Sequence, residues 1–333
     1  MAPSRARPRF LAAGALVLFM GLSPSPNSEA TAHSGPSGPS RRSDMGMAYD
    51  AARGKVVLFG GVGESYHFFA DTWTWDGASW ARSDTPIHPS ARSKMGMAYD
   101  EARGEVVLFG GQNLSGLLFD TWTWNGAVWS RRTTPVHPSP RYDTALAYEA
   151  SSRSMVLFGG RGSTDFLEDT WTWDSTGWAR RFPTAHPSSR AGHEMVYDGA
   201  RNQVVLFGGV DETHYFAQTW LLSAVTWNAP LVLDHPQGRL SQAMAYDEAR
   251  SEVVLFGGNT GAPFHPLRSD TWTWDGTNWT QQRPDFHPNE RYESGMAYDA
   301  GRGEVVLFGG LGNGDFFADT WTWDGTTWTR RCC

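Results

Sequence analysis

Polar and apolar positions recur along this chain in a fixed order, and that order predicts its elements. Residues 45–49 run Met, Gly, Met, Ala, Tyr, the large and small alternation of a strand packed between two layers. Residues 50–54 (Asp, Ala, Ala, Arg, Gly) follow as a polar turn, with Gly, Ser or Asn expected at the position of Gly54, where a hairpin needs a left-handed residue. Residues 56–59 are uninterruptedly apolar, which predicts a strand covered on both faces, and Gly60-Gly61 ends it. After a loop of variable sequence, residues 72–75 read Thr, Trp, Thr, Trp, a third strand of β-branched and aromatic residues. Asp76-Gly77 then predicts a tight turn into a fourth strand through Trp80.

The same order returns six times. The double glycine starts at Gly60, Gly110, Gly159, Gly208, Gly257 and Gly309, and His-Pro stands at His88, His137, His186, His235 and His287, with Pro39-Ser40 in its place in the first unit. The units run 38–87, 88–136, 137–185, 186–234, 235–286 and 287–333. A period of about 50 residues is that of a propeller blade, and one four-stranded unit buries too little apolar surface to stand alone. The expected fold is all-β, a six-bladed β-propeller of four-stranded blades, with both end units complete and no strand exchanged between them. These landmarks resemble the kelch repeat, whose double glycine after a strand is followed by spaced aromatics. The resemblance covers residues 38–333.

Composition agrees, with 37 Gly, 17 Trp and only 19% charged residues describing many turns and many aromatic anchors. The formal charge of −7 argues against non-specific nucleic-acid binding. At the N-terminus Arg5, Arg7 and Arg9 precede an apolar run at 10–22 and a small-residue site at Ala30-Thr31-Ala32, the three parts of a secretory signal. Residues 1–32 are therefore expected to be a cleaved signal peptide and 33–37 a short linker, placing the protein in the extracellular space or a periplasm. No later segment approaches the ~20 apolar residues of a membrane span, so no stable membrane insertion is expected. The only cysteines, Cys332 and Cys333, cannot staple the body of the domain.

A residue repeated in every unit serves the unit, whereas one that breaks the pattern is free for other work. By this filter Trp73, Trp75 and Trp80 read as packing, and the His-Pro histidines as turn residues rather than a ring of metal contacts. Arg42, Arg92, Arg141, Arg190, Arg239 and Arg291 stand at the start of each first strand. They are expected to ring one mouth of the axial channel, either binding carboxylate or phosphate groups or pairing with Asp71, Asp120, Asp169, Asp270 and Asp319. The fourth unit has Gln218 in place of that Asp, which makes Arg190 the arginine without an acid. It also carries His193-Glu194 where other units have Met-Gly, Thr-Ala, Gln-Ala or Ser-Gly. Arg190, His193 and Glu194 are expected to cluster near the axis, with His193 and Glu194 as candidates for acid–base work. Tyr66, His67, His214 and His265, in the loops after the double glycines, are further ligand-binding candidates.

The family resemblance implies two classes of function. One is a binding module offering a loop face and channel mouth to a protein or glycan, including an anionic one. The other is a sugar-modifying enzyme of the sialic-acid mutarotase type, which would use the arginines to hold a carboxylate. A copper-radical oxidase would need a Cys inside the site, and neither cysteine is placed for that. No phosphate loop, nucleophile elbow or His-Glu-x-x-His motif is present, and no metal or other cofactor is expected.

Overall fold

A computed structural model describes residues 38–224, 226–264 and 266–331. The expected signal segment and linker, with Val225, His265, Cys332 and Cys333, lie outside the described residues. Six four-stranded antiparallel sheets follow one another along the chain, each built from consecutive strands of one repeat, and together they form a β-propeller. In blade 1 the four strands are Gly46–Asp50, Lys55–Phe59, Thr72–Trp75 and Trp80–Ser83. The first is innermost, and in every blade it packs against the first strands of both neighbours, blade 6 against blade 1 included. The ring closes as expected, between two complete blades.

Strand direction alternates, so the ring has two unlike faces. The loops after Gly-Gly and the blade-to-blade connections lie on one, here the loop face. The two tight turns of each blade lie on the other, the hairpin face. The residue preceding the second strand is left-handed in every blade, as at Gly54 with φ 63° and Asn202 with φ 55°; in blade 3 it is Arg153 (φ 51°) rather than the expected small residue.

The core lies between blades. Val56, Val57, Leu58 and Phe59 of blade 1 are fully buried, as are their counterparts elsewhere, because a central strand covered on both faces needs apolar groups on both. The tryptophans divide this work in three ways. Trp75 and its equivalents Trp124, Trp173, Trp274 and Trp323 are buried without a hydrogen-bond acceptor for Nε1, tilted about 5.5 Å from the next tryptophan along the hairpin. Trp80 and its equivalents reach across the interface. Trp80 Nε1 donates to Thr320 Oγ1 at 2.9 Å, Trp129 to Thr72 at 2.9 Å and Trp178 to Thr121 at 2.8 Å. Trp227, Trp279 and Trp328 continue the series, so each blade is bonded to its predecessor all the way round. The third class, Trp73 and its equivalents, belongs to the arginine network described next.

On the hairpin face an arginine clasps neighbouring blades. Arg53 Nη1 donates to Asp50 Oδ2 of its own blade at 2.8 Å and to the Gly104 carbonyl of the next at 3.1 Å. A side chain at Gly126 (φ 91°) would collide with Arg53, and glycine stands at the same turn position in blades 1, 5 and 6 as Gly77, Gly276 and Gly325, whereas blades 3 and 4 have Ser175 and Ala224 there.

Candidate functional site

The six arginines do not ring the channel mouth; this corrects the expected placement. Each is 0–1% exposed and lies within its own blade. Arg42 Nε donates to the Ser40 carbonyl (2.9 Å), Nη1 to the Gly60 carbonyl (3.0 Å) and Asp71 Oδ1 (2.6 Å), and Nη2 to Ser40 Oγ (3.0 Å) and Asp71 Oδ2 (2.9 Å). All five N–H donors of the guanidinium are thus used. Asp71 also accepts Trp73 Nε1 at 2.8 Å. Burial alone would raise the Asp71 pKa, but the hydrogen bonds and charge of Arg42, with the Trp73 donor, outweigh it and hold the carboxyl below its ordinary value. Arg92, Arg141, Arg239 and Arg291 pair in the same way with Asp120, Asp169, Asp270 and Asp319. The alternative of pairing is what the structure shows.

Blade 4 departs at the expected place. Arg190 keeps its bonds to Ser188 and to the Gly208 carbonyl, but its only bond across the blade is from Nη2 to Gln218 Oε1 at 3.2 Å. Burial, opposed by the nearby charge of Asp211, pulls the Arg190 pKa down to about 10. The guanidinium stacks 3.9 Å over the Phe216 ring, as Arg42 does over Phe69 and Arg291 over Phe317, so this cation–π contact is kept while the carboxylate is lost. Arg190 is nevertheless closed off from the axis, so the expected Arg190–His193–Glu194 cluster does not form a common site.

His193 and Glu194 are neighbours on one strand, Ala191–Asp198, and so point to opposite sides. The His193 ring goes into the interface with blade 3, 5.5 Å from the Phe158 ring, and is 2% exposed. Neither ring nitrogen makes a hydrogen bond of good geometry among the described residues, the Phe158 carbonyl acting on the ring only weakly. Burial first, and the Arg190 charge second, push its pKa down to about 3, against a weak opposing pull from the Phe158 carbonyl. This histidine is neutral at physiological pH. Glu194 faces the axis, where burial and then the charge of Asp143 raise its pKa to about 8.

The axis itself holds the arrangement that sequence reasoning missed. Asp44, Lys94, Asp143, Gly192, Ser241 and Glu293 occupy one position in the six repeats, at the entry to the first strand, and all six are left-handed, with φ between 51° and 67°. Their backbones form a closed circuit. Lys94 N–H donates to the Asp44 carbonyl, Asp143 to Lys94, Gly192 to Asp143, Ser241 to Gly192, Glu293 to Ser241 and Asp44 back to Glu293, at 2.7–3.0 Å. Lys94 Nζ sits among three acids, 3.1 Å from Glu293 Oε1 and 3.4 Å from Asp44 Oδ1 and from Asp143 Oδ1. Burial opposes the lysine's charge, yet Asp143, Asp44 and Glu293 together hold its pKa well above the ordinary value. Asp44 moves up as well, through burial and then the neighbouring Glu293. These groups share a small chamber of about 70 Å³ with His193, Glu194 and Gln242.

Toward the hairpin face the channel widens into a cavity of about 730 Å³, lined by the six first strands from Met45 to the hairpin residue Glu101. Tyr49, Tyr99, Tyr148, Tyr197, Tyr246 and Tyr298 line its wide part. Several are held by their hydroxyls, which accept backbone N–H groups of the preceding hairpin: Tyr99 from Ala52, Tyr246 from Ala200, Tyr298 from Ala249 and Tyr49 from Gly301, each at 3.0 Å.

The loop candidates are dispersed. Tyr66 is exposed, and His67 packs edge-on against Phe69 at 4.7 Å beside a groove of about 590 Å³ on blade 1 that also takes in Asp84 and His88. His214 lies across the ring on blade 4, its Nδ1 3.2 Å from Asp211 Oδ1. The five His-Pro histidines each place Nδ1 2.9–3.0 Å from the following proline carbonyl, a local turn contact. Among the described residues no group of three His, Cys, Asp or Glu is arranged to hold a metal ion, and no helix is long and apolar enough to cross a membrane. No family model matches the chain, and none of the curated proteins is similar to it. The six-bladed architecture therefore rests on the repeats and the sheets themselves.

Proposed function

We propose that the chain is a secreted propeller of the kelch type that works as a binding module, presenting the loop face of its ring to a protein or glycan. One observation carries this reading. Of twelve large apolar side chains exposed in the described residues, eleven lie in the loops after Gly-Gly or in the blade connections, and one, Val128, lies in a turn of the hairpin face. Tyr66, Leu114 and Phe264 stand out from the loops, and Ile87, Leu231 and Phe286 from the connections. Single exposed apolar groups are ordinary, but their concentration at one end of the ring supports reading that end as a recognition surface. The opposite end is dressed with Arg–Asp clasps and Asp-Gly turns. An acidic sugar held by the ring arginines is not supported, since their donors are spent inside the blades.

Protein and glycan arrays probed with the wild-type chain, the double variant Leu231→Ser/Phe286→Ser and the hairpin-face variant Val128→Ser test this. Partners bound by the wild type should lose about tenfold or more in affinity, ~1.4 kcal/mol, with the double variant and keep it with Val128→Ser. Unchanged binding by the double variant would refute the reading.

A further inference from the structure

The axial cavity opens on the face opposite the proposed recognition surface, and its chemistry has one sign. Its lining contains no Lys, Arg or His, and its only carboxylates are Glu101, Glu194 and Glu248. Glu194 stands deepest, where blades 1, 2 and 6 have Gly46, Gly96 and Gly295 and blades 3 and 5 have Ala145 and Ala243. In those blades the small residue accommodates a long side chain of the next strand, as Gly46 does Met97 and Gly96 does Leu146. A glutamate there gives up that fit, and no hydrogen bond to another of the described residues compensates its carboxylate. A polar group placed so deep without a partner costs stability. Glu101 and Glu248 stand on hairpins of opposite blades, and each other's charge, after burial, helps raise the Glu101 pKa.

We propose that this cavity is a binding site for a small organic cation, an alkylammonium or quaternary ammonium compound, which enters from the hairpin face and pairs with the Glu194 carboxylate. The ligand class follows from the lining. An organic cation needs a counter-charge at depth, polarizable apolar walls and electron-rich rings near its path. Glu194 supplies the first, Met47, Met97, Met244 and Met296 the second, and the six tyrosines the third. The mouth carboxylates Glu101 and Glu248 attract cations before they enter. A volume of about 730 Å³ lies within the range of small-molecule pockets. The chamber beyond is already occupied by its own cation, Lys94, so an incoming charge stops at Glu194. The site is independent of the loop face and stands or falls separately from it.

Calorimetric titration with choline and with its uncharged isostere 3,3-dimethylbutan-1-ol decides the matter. Choline should bind, and the isostere should bind about tenfold or more weakly. Glu194→Ala, which installs the residue that blades 3 and 5 carry and so spares the fold, should weaken choline binding to a similar degree. Glu101→Gln/Glu248→Gln should have the smaller effect. Choline should also bind more tightly at pH 9 than at pH 6, since it needs the ionised carboxylate. The charged groups near Glu194 are Asp143 from blade 3, with Lys94, Asp44 and Glu293 above, while His193 on its own strand and Gln242 from blade 5 line the same chamber with their side chains turned into the blade interfaces; Glu194→Ala should remove the dependence if it belongs to Glu194. Equal binding of the isostere, undiminished binding by Glu194→Ala, or a loss confined to the mouth variant would overturn the proposal, as would a failure of choline to bind.

Discussion

Five blades of this ring resemble one another closely, and blade 4 departs from them at Gln218, Leu222, His193 and Glu194 while keeping their frame. In blade 3 a buried arginine, an aspartate and a tryptophan form one network with every guanidinium donor used. In blade 4 the aspartate is Gln218, the Trp220 bond to it has lengthened to 3.4 Å, and the inner tryptophan has become Leu222. Yet blade 4 has the same four antiparallel strands and the same tryptophan bond to its predecessor, from Trp227 to Thr170. The comparison teaches that the contacts between blades hold the architecture, while the network within a blade supplies stability that one member of six can forgo. Leu222 even removes a buried indole donor that the other blades leave unpaired.

The largest test removes an acid from a regular blade. Asp169→Ala strands the buried Arg141 charge and should cost about 3–5 kcal/mol in denaturant unfolding, whereas Gln218→Ala should cost about 1 kcal/mol. Similar losses for the two would erase the distinction drawn here. Next in size, Gln218→Asp gives Arg190 the partner its counterparts have, and should raise stability by about 1.5–3 kcal/mol, the value of a charged hydrogen bond. A fall instead would mean that blade 4 has repacked around the amide. The smallest effect at neutral pH comes from His193→Met, the residue of blades 1 and 2, which removes two unpartnered nitrogens and should gain about 1 kcal/mol. Its advantage should grow in acid. The folded-state pKa of His193 lies at about 3, below its ordinary 6.5, so its neutral form supports the fold above pH 6.5. That support is lost as pH falls from 6.5 toward 3. A midpoint difference between the two proteins that stays constant over that range would exclude His193 as the titrating group.

Much of this was legible in the sequence because it is said six times. The Asp-Gly turns, the apolar second strands and the Thr-Trp third strands each follow from local rules, and repetition converts weak local signals into one strong one. The identity of blade 4 as the exception was legible for the same reason, as was the arginine without an acid. The destination of the arginines was not. A side chain at the start of an innermost strand can turn to the axis or back into its blade, and the turn is set by Ser40 and its counterparts, whose carbonyls capture Nε. The axial circuit was invisible for a different reason. Asp44, Lys94, Asp143, Gly192, Ser241 and Glu293 have no side chain common to all six, only a backbone angle, and their bonds are carried by amides that every sequence possesses. The tyrosine ring lay in plain view as Ala-Tyr-Asp but reads equally well as strand alternation. Glu194 was picked out correctly as unusual, although its pairing with His193 fails because adjacent strand residues face apart.

The bond from Trp80 to Thr320 is chemically the same as the bond from Trp129 to Thr72, but its partners are 240 residues apart rather than 57. Five of the six interfaces can form as soon as two successive repeats exist, and the sixth must wait for both ends of the chain to meet. That makes the seam between blades 6 and 1 the high-contact-order step of folding. It is also the place where mechanical or thermal opening separates the greatest length of chain in a single event, so the native lifetime of the whole ring depends on a lock no stronger than its five local copies.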